Sequence, residues 1–193
     1  MLDDRETFYL RTIEDLERRI EDSDPYEILL ASGLIRKLLL DEDSLVDQVN
    51  KKYKVKLSFK VGISMFHPST LRNSQFYSIQ DSLDPDGLGA NKPSKMLKRE
   101  QFLKTTVLYS NNQEYSIKDI IRFEANISGG VHAGTPKNKK DEILKEINQI
   151  FSLGGYQASL RQLKAIGHVI LKSLAPLTEK IRNQDKGKRF QSG

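Results

Sequence analysis

The chain has 193 residues, 37% of them apolar and 30% charged, and its 31 lysines and arginines against 26 acids give a net charge of +5. This size and mixture exclude a disordered polymer and suit one globular domain with a real core. No apolar run reaches the ~18–20 residues that a membrane-crossing helix needs, and the lack of cysteine excludes disulfides, thiol nucleophiles and thiolate metal sites.

Charge is divided unevenly. Residues 1–50 hold 14 acids and 6 bases, a balance of −8, whereas the other 143 residues hold 12 acids and 25 bases, a balance of +13. Lys51, Lys52, Lys54, Lys56 and Lys60 form a run with no acid among them. Such a run suits phosphate, and equally the acidic first helices of its own chain or of a second copy. The opening Met1-Leu2-Asp3-Asp4-Arg5-Glu6 lacks the basic-then-apolar order of an export signal, so the expected location is cytoplasmic.

Tyr9, Ile13, Leu16 and Ile20 recur at helical spacing and predict a first helix over about 4–22. Asp24-Pro25 opens a second helix, apolar nearly all round, through Leu40; a helix without a polar face belongs in the middle of a bundle. Leu45, Val46, Val49 and Tyr53 predict a short third helix. The period then switches to two. Val55, Leu57, Phe59, Val61, Ile63 and Met65 predict a long half-buried strand over about 55–65. A long loop over about 67–95 and a short helix near 95–103 follow. Thr105–Tyr109 and Glu114–Tyr115 flank Asn111-Asn112, which predicts a hairpin within about 104–116. A lone hairpin is marginal, so these strands are expected to join the long strand in one sheet.

Ser116 with Asp119 three residues on caps a further helix, ended by Gly129-Gly130. Residues 141–153 predict another amphipathic helix. In the last helix Leu160, Leu163, Gly167, Ile170, Leu174, Leu177 and Ile181 step alternately by three and four, a coiled-coil-like seam that Pro176 is expected to kink. The fold class expected is α+β: one mostly helical domain over 1–182 with a small antiparallel sheet, then a flexible basic tail over 183–193.

Two stretches carry candidate chemistry. In the first, Asn126, Gly129, Gly130, His132 and Gly134 precede Lys137, Lys139 and Lys140. Glycines let backbone amides turn towards an anion, lysines add charge, and an imidazole titrates near neutrality. The plainer reading is a helix end, a loop and a solvated basic run. On the first reading the ligand-binding residues are His132, Asn126, Gly129, Gly130, Lys137 and Lys139. Residues 125–132 resemble, as A-N-x-x-G-G-x-H, a segment of uncharacterised bacterial proteins, which implies a family but no activity.

The second stretch lies on the last helix. Seven residues put Arg161 and His168 on nearly the same side of two turns, with Lys164 and Lys172 close to that side. Arg followed after four to six residues by His resembles the active-site motif of the HEPN superfamily, helical proteins that include metal-independent ribonucleases acting as dimers. The resemblance implies His168 as proton carrier at a ribose 2′-hydroxyl and Arg161 as the charge that steadies phosphate. Gln162 after the arginine, and a sheet beside the bundle, depart from that pattern.

No histidine pair at i,i+4 occurs among His67, His132 and His168, so no metal site is read, and no nucleotide-binding or serine-hydrolase signature is present. The leading expectation is a cytosolic binding or assembly module without cofactor and without catalysis. It would self-associate through the last-helix seam and hold a protein partner or an anion at the Gly129–Gly134 loop. The rival is a HEPN-like ribonuclease using His168 or His132 with Arg161 or Arg122. Nucleic acid is thus an alternative partner, and a membrane is not.

Overall fold

Capping chemistry written into the sequence sets the helix starts. The computed structural model describes residues 1–62, 94–110, 113–128, 138–139, 141–142, 145 and 155–191. In α1 (Asp4–Glu21), the Asp3 carboxylate accepts from the Glu6 amide at 2.9 Å, and the Glu6 carboxylate accepts from the Asp3 amide at 2.8 Å. Each satisfies an amide that the helix cannot. Asp24 accepts from the Tyr26 amide at 2.9 Å to start α2 (Pro25–Leu39). Ser44 accepts from the Asp47 amide at 3.2 Å to start α3 (Leu45–Tyr53), which ends at Lys54 in the left-handed region, φ 51°.

The strand region departs from expectation. Only Phe59–Gly62 of the anticipated 55–65 strand forms β1, and residues 63–65 lie outside the described residues. The reason is local: the Asn50 side chain donates to the Val55 carbonyl at 2.9 Å and accepts from the Val55 amide at 2.8 Å. These groups are thereby taken from a ladder. β1 pairs antiparallel with β2 (Ser94–Leu97), Phe59 opposite Leu97 and Gly62 opposite Ser94. The helix expected near 95–103 is therefore shortened to α4 (Arg99–Leu103). Phe59 and Phe102 stack with ring centres 4.7 Å apart, fixing β1 on α4.

The hairpin forms as β3 (Thr106–Ser110) and β4 (Gln113–Ser116), with a register shift between Thr106 and Leu108. It does not join β1. The described strands make two separate two-stranded antiparallel sheets, and Ser116 turns straight from β4 into α5 (Ile117–Ser128). Ser116 accepts from the Asp119 amide at 3.2 Å, and Asp119 accepts from the Ser116 amide at 2.9 Å. Of the helix expected over 141–153, residues 141, 142 and 145 are helical and the others lie outside the described residues. The last helix, α6 (Gly155–Gln191), is longer than expected at both ends and winds residues 183–191 into helix. It continues through Pro176, whose exposed position leaves the freed carbonyl reachable by water. The protein is thus mostly helical, α+β, and among the described residues no helix is long and apolar enough to cross a membrane.

α2 packs against α1, α3, α5 and α6, the central place its all-round apolarity demands. α1 and α6 run antiparallel: Tyr9 Oη lies 3.1 Å from Thr178 Oγ1, and further along α1 Ile20 meets Gly167. Burial pushes the Tyr9 phenol up to about 12. Leu163, Gly167, Ile170, Leu174, Leu177 and Ile181 are all buried in this packing. From Leu163 to Ile181, the apolar seam expected to meet a second copy is thus buried against the chain's own helices; the side chain of Leu160 lies outside the described residues.

One buried carboxylate ties three helices. Glu6, 2% exposed, accepts from Lys52 Nζ and from Tyr53 Oη, the latter at 2.6 Å. Lys180 on α6 donates to the Tyr53 carbonyl at 3.0 Å. Burial drives the Glu6 carboxyl upward, but the bonds from Lys52, Tyr53 and the Asp3 amide outweigh it and hold the group below its ordinary value. Lys52 also lies 3.7 Å from Asp3, and Lys51 lies 3.7 Å from Asp43. The basic run after α3 thus meets the acidic first helices of its own chain at these two positions.

Two predictions follow from this packing. A Cβ at Gly167 would sit 2.8 Å from Cγ2 of fully buried Ile20. Gly167→Ala gains about 1 kcal/mol of helix propensity but overpacks by about 1–3 kcal/mol. The expected net loss is smaller when combined with Ile20→Ala than the two single losses added, as chemical denaturation will show. Because the Glu6 pKa is lowered on folding, its contribution is full above the ordinary carboxylate value and fades as pH falls through the lowered one. Glu6→Gln is expected to cost about 1–3 kcal/mol at neutral pH and to flatten the acid limb of a stability–pH curve.

Candidate functional site on the last helix

The close approach that seats Gly167 on Ile20 also sets the next residue of each helix side by side. His168 follows Gly167 and Glu21, the last residue of α1, follows Ile20. The His168 Nε2 lies 3.1 Å from Glu21 Oε1, with the imidazole 36% and the carboxylate 62% exposed. The ring thus sits at the rim of the α1–α6 contact, touching core on one side and water on the other. Lys164, half-buried, stands one turn before it and Lys172, exposed, one turn after. At 100° per residue, positions 161, 164, 168 and 172 fall within about 40° of one another's row centre and span about 16 Å of helix. Arg161 belongs to the helical backbone of α6, and its side chain lies outside the described residues.

The chemistry open to this row is definite. Cationic side chains in file along a helix attract a phosphate backbone. An imidazole facing a carboxylate is held in orientation, and imidazole is the side chain suited to moving a proton near neutral pH. Because both members of the pair are exposed, water screens their attraction, and their value to folding is small.

The glycine-rich candidate stands differently. Gly129, Gly130, His132 and Lys137 lie outside the described residues, as does the side chain of Asn126, whose backbone is helical in α5. Lys139 is helical and exposed, and Arg122 is exposed on α5.

Two features carried little or no sequence signal. Glu21 sits 147 positions from His168, and no local pattern couples residues so far apart. The second is an open groove of about 500 Å³ at the N-terminal end of α1, lined by Asp4, Phe8, Lys37, Asp41, Asp43 and Leu45 among others. Phe8 is 47% exposed, with the Lys37 ammonium 5.4 Å from its ring centre. Its one trace in the sequence is that Phe8 stands off the Tyr9–Ile13–Leu16–Ile20 stripe.

Because the pair is exposed, His168→Ala and Glu21→Ala are each expected to change the unfolding free energy by less than about 1 kcal/mol. Denaturant titration beside Gly167→Ala, one residue away but fully buried, separates a surface site from core packing. No family model, curated protein or solved structure matches this chain.

Proposed function

We propose that this chain is a binding module for the phosphate backbone of single-stranded RNA, with the exposed row of α6 around His168 as its contact face. The observation that carries the reading is the half-exposed imidazole of His168 between Lys164 and Lys172, on a helix whose opposite side is buried in the core from Leu163 to Ile181. Arg161 extends the row by sequence position. Binding of this kind rests on counterion release, so it tolerates many base sequences and weakens steeply with salt. The setting proposed is the cytoplasm. The residue balance of +13 after position 50 supports an anionic ligand.

A second reading is favoured by the carboxylate at the ring. In a metal-independent ribonuclease, His168 would take the proton of the ribose 2′-hydroxyl as that oxygen attacks phosphorus. The proton would then pass to the departing 5′-oxygen, with Glu21 holding the ring and Arg161 facing the phosphate. The resemblance of the Arg161–His168 spacing to the HEPN motif supports this reading.

One set of measurements separates the two. Fluorescence anisotropy with a labelled single-stranded RNA is expected to show salt-dependent binding, with Lys164→Ala and Lys172→Ala each weakening it several-fold and flattening the salt slope. Incubation of the same RNA in chelator then reads cleavage. Product lost in His168→Ala and Glu21→Gln with binding retained makes the chain a nuclease; intact RNA leaves it a binder. The variants His132→Ala, Lys137→Ala and Lys139→Ala report whether the glycine-rich loop adds to the face. Affinity unaffected by salt and by Lys164, His168 and Lys172 substitutions overturns the proposal.

A further inference from the structure

The outer side of the β1–β2 ribbon carries charge of one sign. Phe59 and Leu97 stand opposite each other and turn inward, Phe59 fully buried against Phe102, and β1 packs on α6. Neighbours along a strand point to opposite faces, and cross-strand partners point to the same one. The next pair, Lys60 and Met96, therefore turns outward, and Met96 is 58% exposed. The alternation extends before β1: Val55 and Leu57 pack against the core, while Lys56 is exposed and Ser58 half-buried. Beyond Leu97, Lys98 is exposed, still in extended backbone, and returns to the outer side. Lys56, Lys60 and Lys98 thus share one face with Ser58 and Met96.

No acid occurs in 51–62 or in 94–98. The nearest acids in sequence are Asp47, already held by Arg99, and Glu100 in the first turn of α4. Lys51 and Lys52 already pair with Asp43 and Glu6. Among the described residues no carboxylate pairs with Lys56, Lys60 or Lys98.

We propose that this face is a second contact for the phosphate backbone of the RNA strand that the α6 row binds. Charge selects the partner: unpaired cations with no acid between them suit a polymer charged at every unit, and each phosphate neutralised releases a counterion. Ser58 adds a hydroxyl donor, and Met96 a polarisable thioether for the face of an unstacked base. One exposed apolar side chain is too little for a bilayer, where binding scales with the apolar area buried. Three lysines alone hold RNA weakly, but a strand already bound at α6 meets them at high effective concentration. The inner side of β1 rests on α6, so ribbon and row are separate faces of one body, and only a long strand reaches both. About 20 nucleotides cover about 70 Å even when stacked. That exceeds the length of α6, about 55 Å for its 37 residues. This contact rests on the RNA-binding reading and adds to it a demand for RNA length.

Anisotropy with labelled single strands of about 5 and about 20 nucleotides tests it. The long strand is expected to bind at least about tenfold more tightly. Lys56→Glu, Lys60→Glu and Lys98→Glu combined is expected to erase that advantage and lower the salt slope by about 2. The short strand stays bound at α6, which also shows that the variant is folded. Met96→Ala is expected to weaken the long strand a few-fold at unchanged salt slope. A control of equal charge change, Arg5→Glu, Arg11→Glu and Lys145→Glu, all exposed, is expected to keep the advantage. An advantage that survives the ribbon reversal, or falls equally in the control, overturns the second contact while binding at α6 stands. Indifference to Lys164→Ala and Lys172→Ala, with the ribbon reversal still effective, supports the ribbon and removes the α6 row. A chain that binds neither strand overturns both. Pelleting with phosphatidylserine vesicles, lost in the ribbon reversal while RNA binding is unchanged, gives this face to a bilayer and overturns the proposal.

Discussion

The antiparallel contact of α1 with α6 holds everything else in place. It joins residues 169 positions apart, at Tyr9 and Thr178, and it presses the Ile20 side chain onto Gly167. α2 fills the space beside this pair, and β1 and β3 lean on α6. A contact so distant in sequence carries a large loop-closure cost, which only extensive apolar burial repays. The long apolar run of α6, from Leu163 to Ile181, supplies that burial. The same contact decides which surface of α6 stays wet, and so sets His168 and Glu21 together at its rim.

Helix starts were legible because capping information is local. Asp24 at the start of α2 and Ser116 with Asp119 at the start of α5 act across two or three residues, and both caps form; the Asp3–Glu6 and Ser44–Asp47 caps, equally local, were not singled out. Periodicity was legible in a weaker sense: it showed that one face of the last helix is buried but not against what. A second copy and the chain's own α1 present the same demand for apolar area. The strand at 55–65 shows the opposite failure, since alternation cannot reveal that a single Asn50 side chain captures both backbone groups of Val55. His168 stood out by its spacing from Arg161; Glu21 had no such signal, because its role comes from tertiary packing alone.

Charge is organised in the same economical way. The acidic first fifty residues are partly neutralised from within, by Lys52 on Glu6, Lys51 on Asp43 and Arg99 on Asp47 at 2.5 Å. Beside the His168 ring stand Glu21 of α1 and, along α6, Lys164 and Lys172, while the groove at the other end of α1 is lined by Asp4, Asp41 and Asp43 together with Arg5 and Lys37. Both ends of this helix pair thus carry charges of both signs.

The pairing of β1 with β2 has an evolutionary corollary. Gly62 and Ser94 sit opposite each other, and Arg99 clamps the strand's exit onto the Ser44–Asp47 cap of α3. Positions 62 and 94 are therefore held at adjacent points of the body. Between two points so joined, doubling the length of sequence adds only about 0.6 kcal/mol of closure entropy. A change of length between them, even a grafted reporter, is thus expected to leave the bundle's arrangement in place.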